Sequence, residues 1–211
     1  MVSVNHQKLI VDCLNTHKDA FDKSIKFSKL TGQPTPQDTA KWSQIFVSIL
    51  ISVKGLYQKK GPDLSDGSDV KGACVWKAID TPRFNGVVPA GRILTKYKSS
   101  SNIYKKIYFV LWDYNLKKKE RCRVWGVNIE RDNLFREMVD KWYKQREDSI
   151  IKSSNFQLHP PRNKDGNILR NKCGNLEYPL IFEAVFENKT YVIKKKSLDI
   201  LENEKCKIVN I

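Results

Sequence analysis

Near the middle of the chain, Ile107-Tyr108-Phe109-Val110-Leu111-Trp112 runs six residues without a charged side chain. A strand with one wet face alternates polar and apolar residues, whereas an unbroken apolar run suits a central strand buried on both sides. The expected strand covers Ile103 to Trp112. A second follows the charged turn Asn115 to Glu120 and covers Arg121 to Ile129, setting Cys122, Val124 and Gly126 against Arg123, Trp125 and Val127. Helical patterns stand before and after this pair. The chain therefore reads as α/β, a mixed β-sheet flanked by helices with a helical N-terminal region.

In that region Leu9, Ile10, Cys13 and Leu14 recur at helical spacing from Val4 to about Lys18. A separate short helix is expected from Asp19 to Leu30, with Phe21, Ile25 and Phe27 inward. Thr31-Gly32-Gln33-Pro34-Thr35-Pro36 breaks it. Pro36 suits a first helical position and Asp38 the positive end of the dipole. The helix they open is expected to reach about Tyr57, carrying Trp42, Ile45, Phe46, Ile49, Leu50, Val53 and Leu56. A further helix is capped by Asp132 and runs to about Glu147, packing Leu134, Phe135, Met138, Val139, Trp142 and Tyr143. Tyr178–Phe186 and Thr190–Lys195 form a closing hairpin around Glu187-Asn188-Lys189. Trp76, Trp112, Trp125 and Trp142 sit in apolar periodic segments, which makes them core residues.

Charge narrows the function. A net charge of +15 with a pI near 9.6 calls for a polyanionic partner, nucleic acid ahead of an anionic membrane. Each phosphate neutralised by lysine or arginine releases counterions, whatever the base sequence. No apolar run approaches a membrane span and the start lacks a signal-peptide core, so a cytoplasmic protein is expected. The five cysteines are odd in number, scattered, and without a Cys-x-x-Cys pair, which fits reduced thiols rather than disulfides or zinc. Walker and dinucleotide-binding glycine patterns are missing too.

The chemistry gathers in Gly61-Pro62-Asp63-Leu64-Ser65-Asp66-Gly67-Ser68-Asp69-Val70-Lys71-Gly72-Ala73. If Asp69 to Val75 is a strand, Asp69 and Lys71 share a face, and Asp63, just before the turn, can bring its carboxylate to the same end. Two carboxylates are hard oxygen ligands suited to Mg²⁺, and a neighbouring ammonium can orient water and stabilise phosphoryl charge. By itself Asp-x-Lys is a weak pattern, matched also by Glu187-Asn188-Lys189.

Two further stretches carry the side chains that read base edges. The first is the basic excursion Thr81-Pro82-Arg83-Phe84-Asn85-Gly86, continuing to Arg92, with Arg83 and Asn85. The second runs from Asn155 to Gly166 and on to Asn175, with Gln157, His159, Arg162, Asn163, Lys164, Arg170 and Asn171. Arginine matches guanine, and asparagine or glutamine matches adenine, by bidentate geometry. His159 is a candidate base or DNA contact beside the plainer reading as a structural residue.

Leu64 to Ala73, Ala78 to Gly86, and Asn155 to Arg162 through Cys173-Gly174-Asn175-Leu176 resemble the MamI-like restriction endonucleases. These fall in the PD-(D/E)xK nuclease superfamily, and the likeness spans about residues 60 to 185. The short Asp63-to-Asp69 gap is similar to that of the MutH- and MvaI-like branch. The resemblance implies a Mg²⁺-dependent type II restriction endonuclease that cuts double-stranded DNA at a specific, palindromic sequence. It implies Asp63 and Asp69 as metal ligands, Asp66 as the alternative first acid, and Lys71 as the water-activating partner. In this superfamily a Glu or Gln on the preceding helix often supports the metal. Gln44 is the nearest candidate here, against the plainer reading as a residue of a buried helix. A homodimer is expected, with a monomer that nicks one strand at a time as the alternative. A cognate DNA methyltransferase is expected in the same system without a stable complex. The whole chain, 1–211, is expected as one nuclease domain: a helical part (1–58), a catalytic core (59–150) and a recognition loop with closing strands (151–211). Its rivals are a mismatch-repair or junction-resolving nuclease and a non-catalytic basic DNA-binding protein.

Overall fold

The structure is a computed structural model that describes residues 5–58, 61–89, 104–129, 131–153, 155–161, 168–171, 174–177 and 180–196. Helix α1, His6–Thr31, is continuous. The expected division near Asp19 does not occur, because no breaker stands there and the inward stripe Ile10, Cys13, Leu14, His17, Phe21 continues through it. Asn5 caps its start by accepting from the Lys8 N–H, and Gly32, at φ 69°, ends it. Phe27, expected inward, is 63 % exposed.

Helix α2, Thr39–Ile51, is shorter than the expected Pro36–Tyr57. The Asp38 side chain accepts from the Lys41 N–H, which fixes Asp38 as the cap and leaves Pro36 outside. At the other end Ser52 enters the left-handed region, φ 54°, and its N–H bonds back to Ile49. The chain then leaves the helix and folds over itself, Gly55 bridging Leu64.

The larger sheet holds five strands in the order β1 (Asp69–Cys74), β3 (Lys106–Tyr114), β4 (Glu120–Asn128), β8 (Leu180–Glu187), β9 (Thr190–Lys196). Strands β1 and β3 are parallel, Asp69 lying opposite Ile107 and Lys71 opposite Phe109; the other pairs are antiparallel. Asn188 and Lys189 both take positive φ at the β8–β9 turn, as expected of a tight hairpin. The apolar run in β3 serves two cores. Tyr108, Val110 and Trp112 face α1 and α2 together with Val70, Cys122 and Val124. Ile107, Phe109 and Leu111 join Trp125, Val127 and helix α3 (Asn133–Glu147) on the other side. Asp132 caps α3 by accepting from the Phe135 N–H at 2.9 Å. Leu134, expected to pack, is 66 % exposed. Trp76, Trp112, Trp125 and Trp142 are all buried, as are Cys13, Cys74 and Cys122.

The two expected loop excursions instead meet as a second, four-stranded sheet in the order β2 (Phe84–Pro89), β5 (Asn155–His159), β6 (Ile168–Asn171), β7 (Gly174–Glu177). Phe84, Val87, Phe156 and Leu158 bury one face against the α3 core. Phe156 and Leu158 are two apart on β5, whereas Phe84 and Val87 on β2 are three apart, where the register of the pair is irregular. Among the described residues no helix is long and apolar enough to cross a membrane.

Candidate active site

Strand β1 is the edge of the larger sheet, and its first residues include the candidate pair Asp69 and Lys71. Asp69 and Lys71, two apart, lie on one face and form an ion pair through Lys71 Nζ and Asp69 Oδ2. Asp69 is 1 % exposed, and the Lys71 side chain 18 %. The hairpin expected to deliver Asp63 is a tight turn instead: the Asp63 and Leu64 N–H groups both donate to the Ser68 carbonyl. Its result is the same convergence. Asp63 Oδ2 accepts from the Val70 N–H at 2.9 Å, fastening its carboxylate to the backbone between Asp69 and Lys71.

Gln44 of α2 donates through Nε2 to Asp63 Oδ1 at 2.7 Å, and its Oε1 accepts from Lys41 Nζ at 3.2 Å. Gln44 is half-buried, and its side chain holds the Asp63 carboxylate. Asp66 is turned into its own loop, accepting from the Ser68 N–H at 2.9 Å. Tyr104 was not singled out in the sequence. Its ring lies 5.8 Å from Lys71 Nζ, and burial, then Asp69 and Asp63, push its hydroxyl well above the ordinary tyrosine range. No spacing rule pointed to it, since it stands ahead of β3 in a stretch read simply as strand.

Burial pushes the Asp69 carboxyl up to about 7; Lys71 opposes that rise and Asp63 adds to it. A nearly dry carboxyl with a second acid beside it is a poor place for negative charge unless a cation arrives. Among the described residues no group of three or more His, Cys, Asp or Glu is placed to hold a metal, and the acidic side chains that meet at this end of β1 are Asp63 and Asp69. That set fits Mg²⁺, which takes one or two carboxylates and completes its shell with water and phosphate oxygens.

Next to β1 a polar groove of about 590 Å³ is lined by Gln37 and Thr39, by Gly72 of the strand, and by Arg83, Asn85 and Gln157. Three of the base-reading candidates thus converge, because β2 and β5 pair. His159 lies apart, in a cavity of about 300 Å³ with Asp113, Pro160 and Pro161. Arg170 and Asn171 lie on β6, opposite His159 and Leu158, with side chains outside the described residues. Arg162, Asn163 and Lys164 lie outside the described residues altogether.

A mixed five-stranded sheet flanked by helices, with its parallel edge strand opening the site, is the α/β architecture of restriction-endonuclease-like proteins. The family model for MamI restriction endonuclease matches residues 26–190, and the chain belongs to that family. It is 28 % identical over 177 residues to the type II restriction enzyme MamI of Microbacterium ammoniaphilum, an alignment covering 75 % of this chain and 56 % of that protein. The chain thus spans a little over half the length of that relative. No solved structure matches it.

Proposed function

We propose that the chain is a Mg²⁺-dependent type II restriction endonuclease, hydrolysing phosphodiester bonds of double-stranded DNA at a specific, palindromic sequence. One observation carries this reading. Asp63, Asp69 and Lys71 converge at the start of β1, beside a groove of base-reading side chains, in a family of restriction endonucleases. Asp63 and Asp69 are the residues that would hold the metal. When bound, Mg²⁺ supplies Lewis acidity at the scissile phosphate and lowers the pKa of water.

The chain's own groups do the rest. Lys71 orients the attacking water and places positive charge where the phosphoryl oxygens gain negative charge. Gln44 keeps Asp63 from rotating away, and the burial of Asp69 keeps bulk water from weakening these fields. Arg83, Asn85 and Gln157 read bases, the second excursion adds contacts from His159 to Asn171, and the +15 charge holds the backbone. A palindromic site is matched by a twofold-symmetric homodimer. The protein works in the cytoplasm as one nuclease domain, with a methyltransferase protecting host DNA without forming a stable complex.

Digestion of a sequenced plasmid in Mg²⁺, with mapping of the ends, tests this. Discrete fragments are expected from the wild type, and none from Asp69→Ala or Lys71→Ala, both of which still bind DNA. Undiminished cutting by Asp69→Ala would overturn the assignment of the centre.

A further inference from the structure

The polar groove contains one acidic side chain that the base-reading role does not explain. Asp80 lines it beside Arg83, and its carboxylate is pinned at both oxygens. Oδ1 accepts from the Thr81 N–H at 2.6 Å, and Oδ2 accepts from Arg83 Nη2. These two bonds, the backbone one first, hold the Asp80 carboxyl below the usual carboxylate range, so it stays charged at any working pH. Arg83 is equally constrained along the chain. Pro82 before it has its own φ locked by the ring, and Phe84 after it is fully buried, 5.1 Å from the Phe109 ring.

An exposed ion pair of this kind adds little to stability. An acid facing DNA also repels phosphate, so the pair needs another use. A guanidinium has five N–H donors in a rigid fork. The bond from Nη2 to the fixed Asp80 carboxylate biases the orientation of the fork before any ligand arrives. Guanine presents N7 and O6 side by side in the major groove, which is the arrangement such a fork matches.

We propose that this groove holds a subsite for the major-groove edge of a guanine, read by Arg83 with its guanidinium held in place by Asp80. Asn85 and Gln157, on the paired strands, read the neighbouring bases. Asp80 also acts against the wrong sequence, because DNA that offers Arg83 no paired acceptors meets the carboxylate without compensation. The inference rests on the nuclease reading above and extends it to two named residues and one base.

The test digests a randomised duplex DNA pool with the full chain in Mg²⁺ and sequences the ends. Wild type is expected to fix guanine at one position. Arg83→Ala relaxes that same position by about 5- to 150-fold, the range of a good bidentate contact. Asp80→Ala relaxes it too, by a smaller factor, and leaves the other positions unchanged. Asp80→Asn, which keeps an oxygen for Arg83, falls between. Where a variant cuts slowly, fluorescence anisotropy on the mapped site and its three substitutions at that position gives the same ratio. The subsite is overturned if the two residues affect different positions. It is overturned equally if Asp80→Ala tightens binding to all sequences without changing any preference. Absence of discrete ends with the wild type overturns the nuclease reading itself, and this subsite with it.

Discussion

Asp69 should make the metal-free protein less stable than it need be, and the effect has a definite pH signature. Its carboxyl ionises near 3.8 in the unfolded chain and at about 7 when folded. Below pH 3.8 both states hold the proton and nothing is lost. Between those values the unfolded chain gives up its proton and the folded chain does not, so stability falls as pH rises; above 7 the loss is constant. At about 1.4 kcal/mol per pH unit, a displacement of roughly three units sets a ceiling of about 4 kcal/mol. Asp69→Asn removes the titration and nearly keeps the shape. It also strips Lys71 of its partner, but that side chain is 18 % exposed and within reach of water. Urea denaturation of both proteins in EDTA, from pH 4 to pH 8, isolates the term, since packing changes contribute equally at each pH. The variant's advantage should grow by about 2 kcal/mol or more across that range. Mg²⁺ at ten times its Kd should then stabilise the wild type by about 1.4 kcal/mol and the variant not at all. A gap that stays flat or narrows with rising pH would refute the argument.

Gly72 presses β1 against α2: a Cβ there would lie 2.7 Å from the Thr39 carbonyl oxygen. Gly72→Ala should lower stability by about 1–3 kcal/mol in urea, and lower cleavage by the folded fraction as well, because the helix displaced is the one carrying Gln44. Gln44→Leu leaves Asp63 Oδ1 without its donor. Cleavage, or the Mg²⁺ concentration for half-maximal rate, should worsen by roughly 10- to 100-fold with DNA affinity unchanged in filter binding; an unaltered Mg²⁺ dependence would count against the role.

What was legible in the sequence followed from strong local signals. Ile107–Trp112 has no polar face, so a central strand was the only economical reading, and both cores form on it. Asp132 before a 3.6-residue pattern gave the start of α3, and Asn188 with Lys189 gave the closing turn. Other features depended on partners distant in the chain. Phe84 and Phe156 look like isolated aromatics until β2 and β5 lie side by side. Ser52 ends α2 in a left-handed conformation that no glycine or proline announces, so the apolar pattern runs on to Tyr57 while the helix stops at Ile51. Single-residue propensity cannot fix such a boundary, which is set by the return of the chain to pair Gly55 with Leu64.

The candidate site was divided in the same way, between local pattern and long-range fastening. The i, i+2 spacing of Asp69 and Lys71 needs only a strand. Asp63 and Asp66, by contrast, differ in their hydrogen bonds: Asp66 caps its own turn, while Asp63 reaches the Val70 N–H seven residues on and Gln44 nineteen back. The Gln44 fastening depends on α2 lying hard against β1, and that contact depends on the missing side chain at Gly72. A bulkier residue there would leave the acidic pair and the lysine intact in sequence. It would still separate the helix that orients one carboxylate from the strand that carries the other. The motif therefore names the candidate groups, and the orientation of Asp63 by Gln44 belongs to the α2–β1 contact.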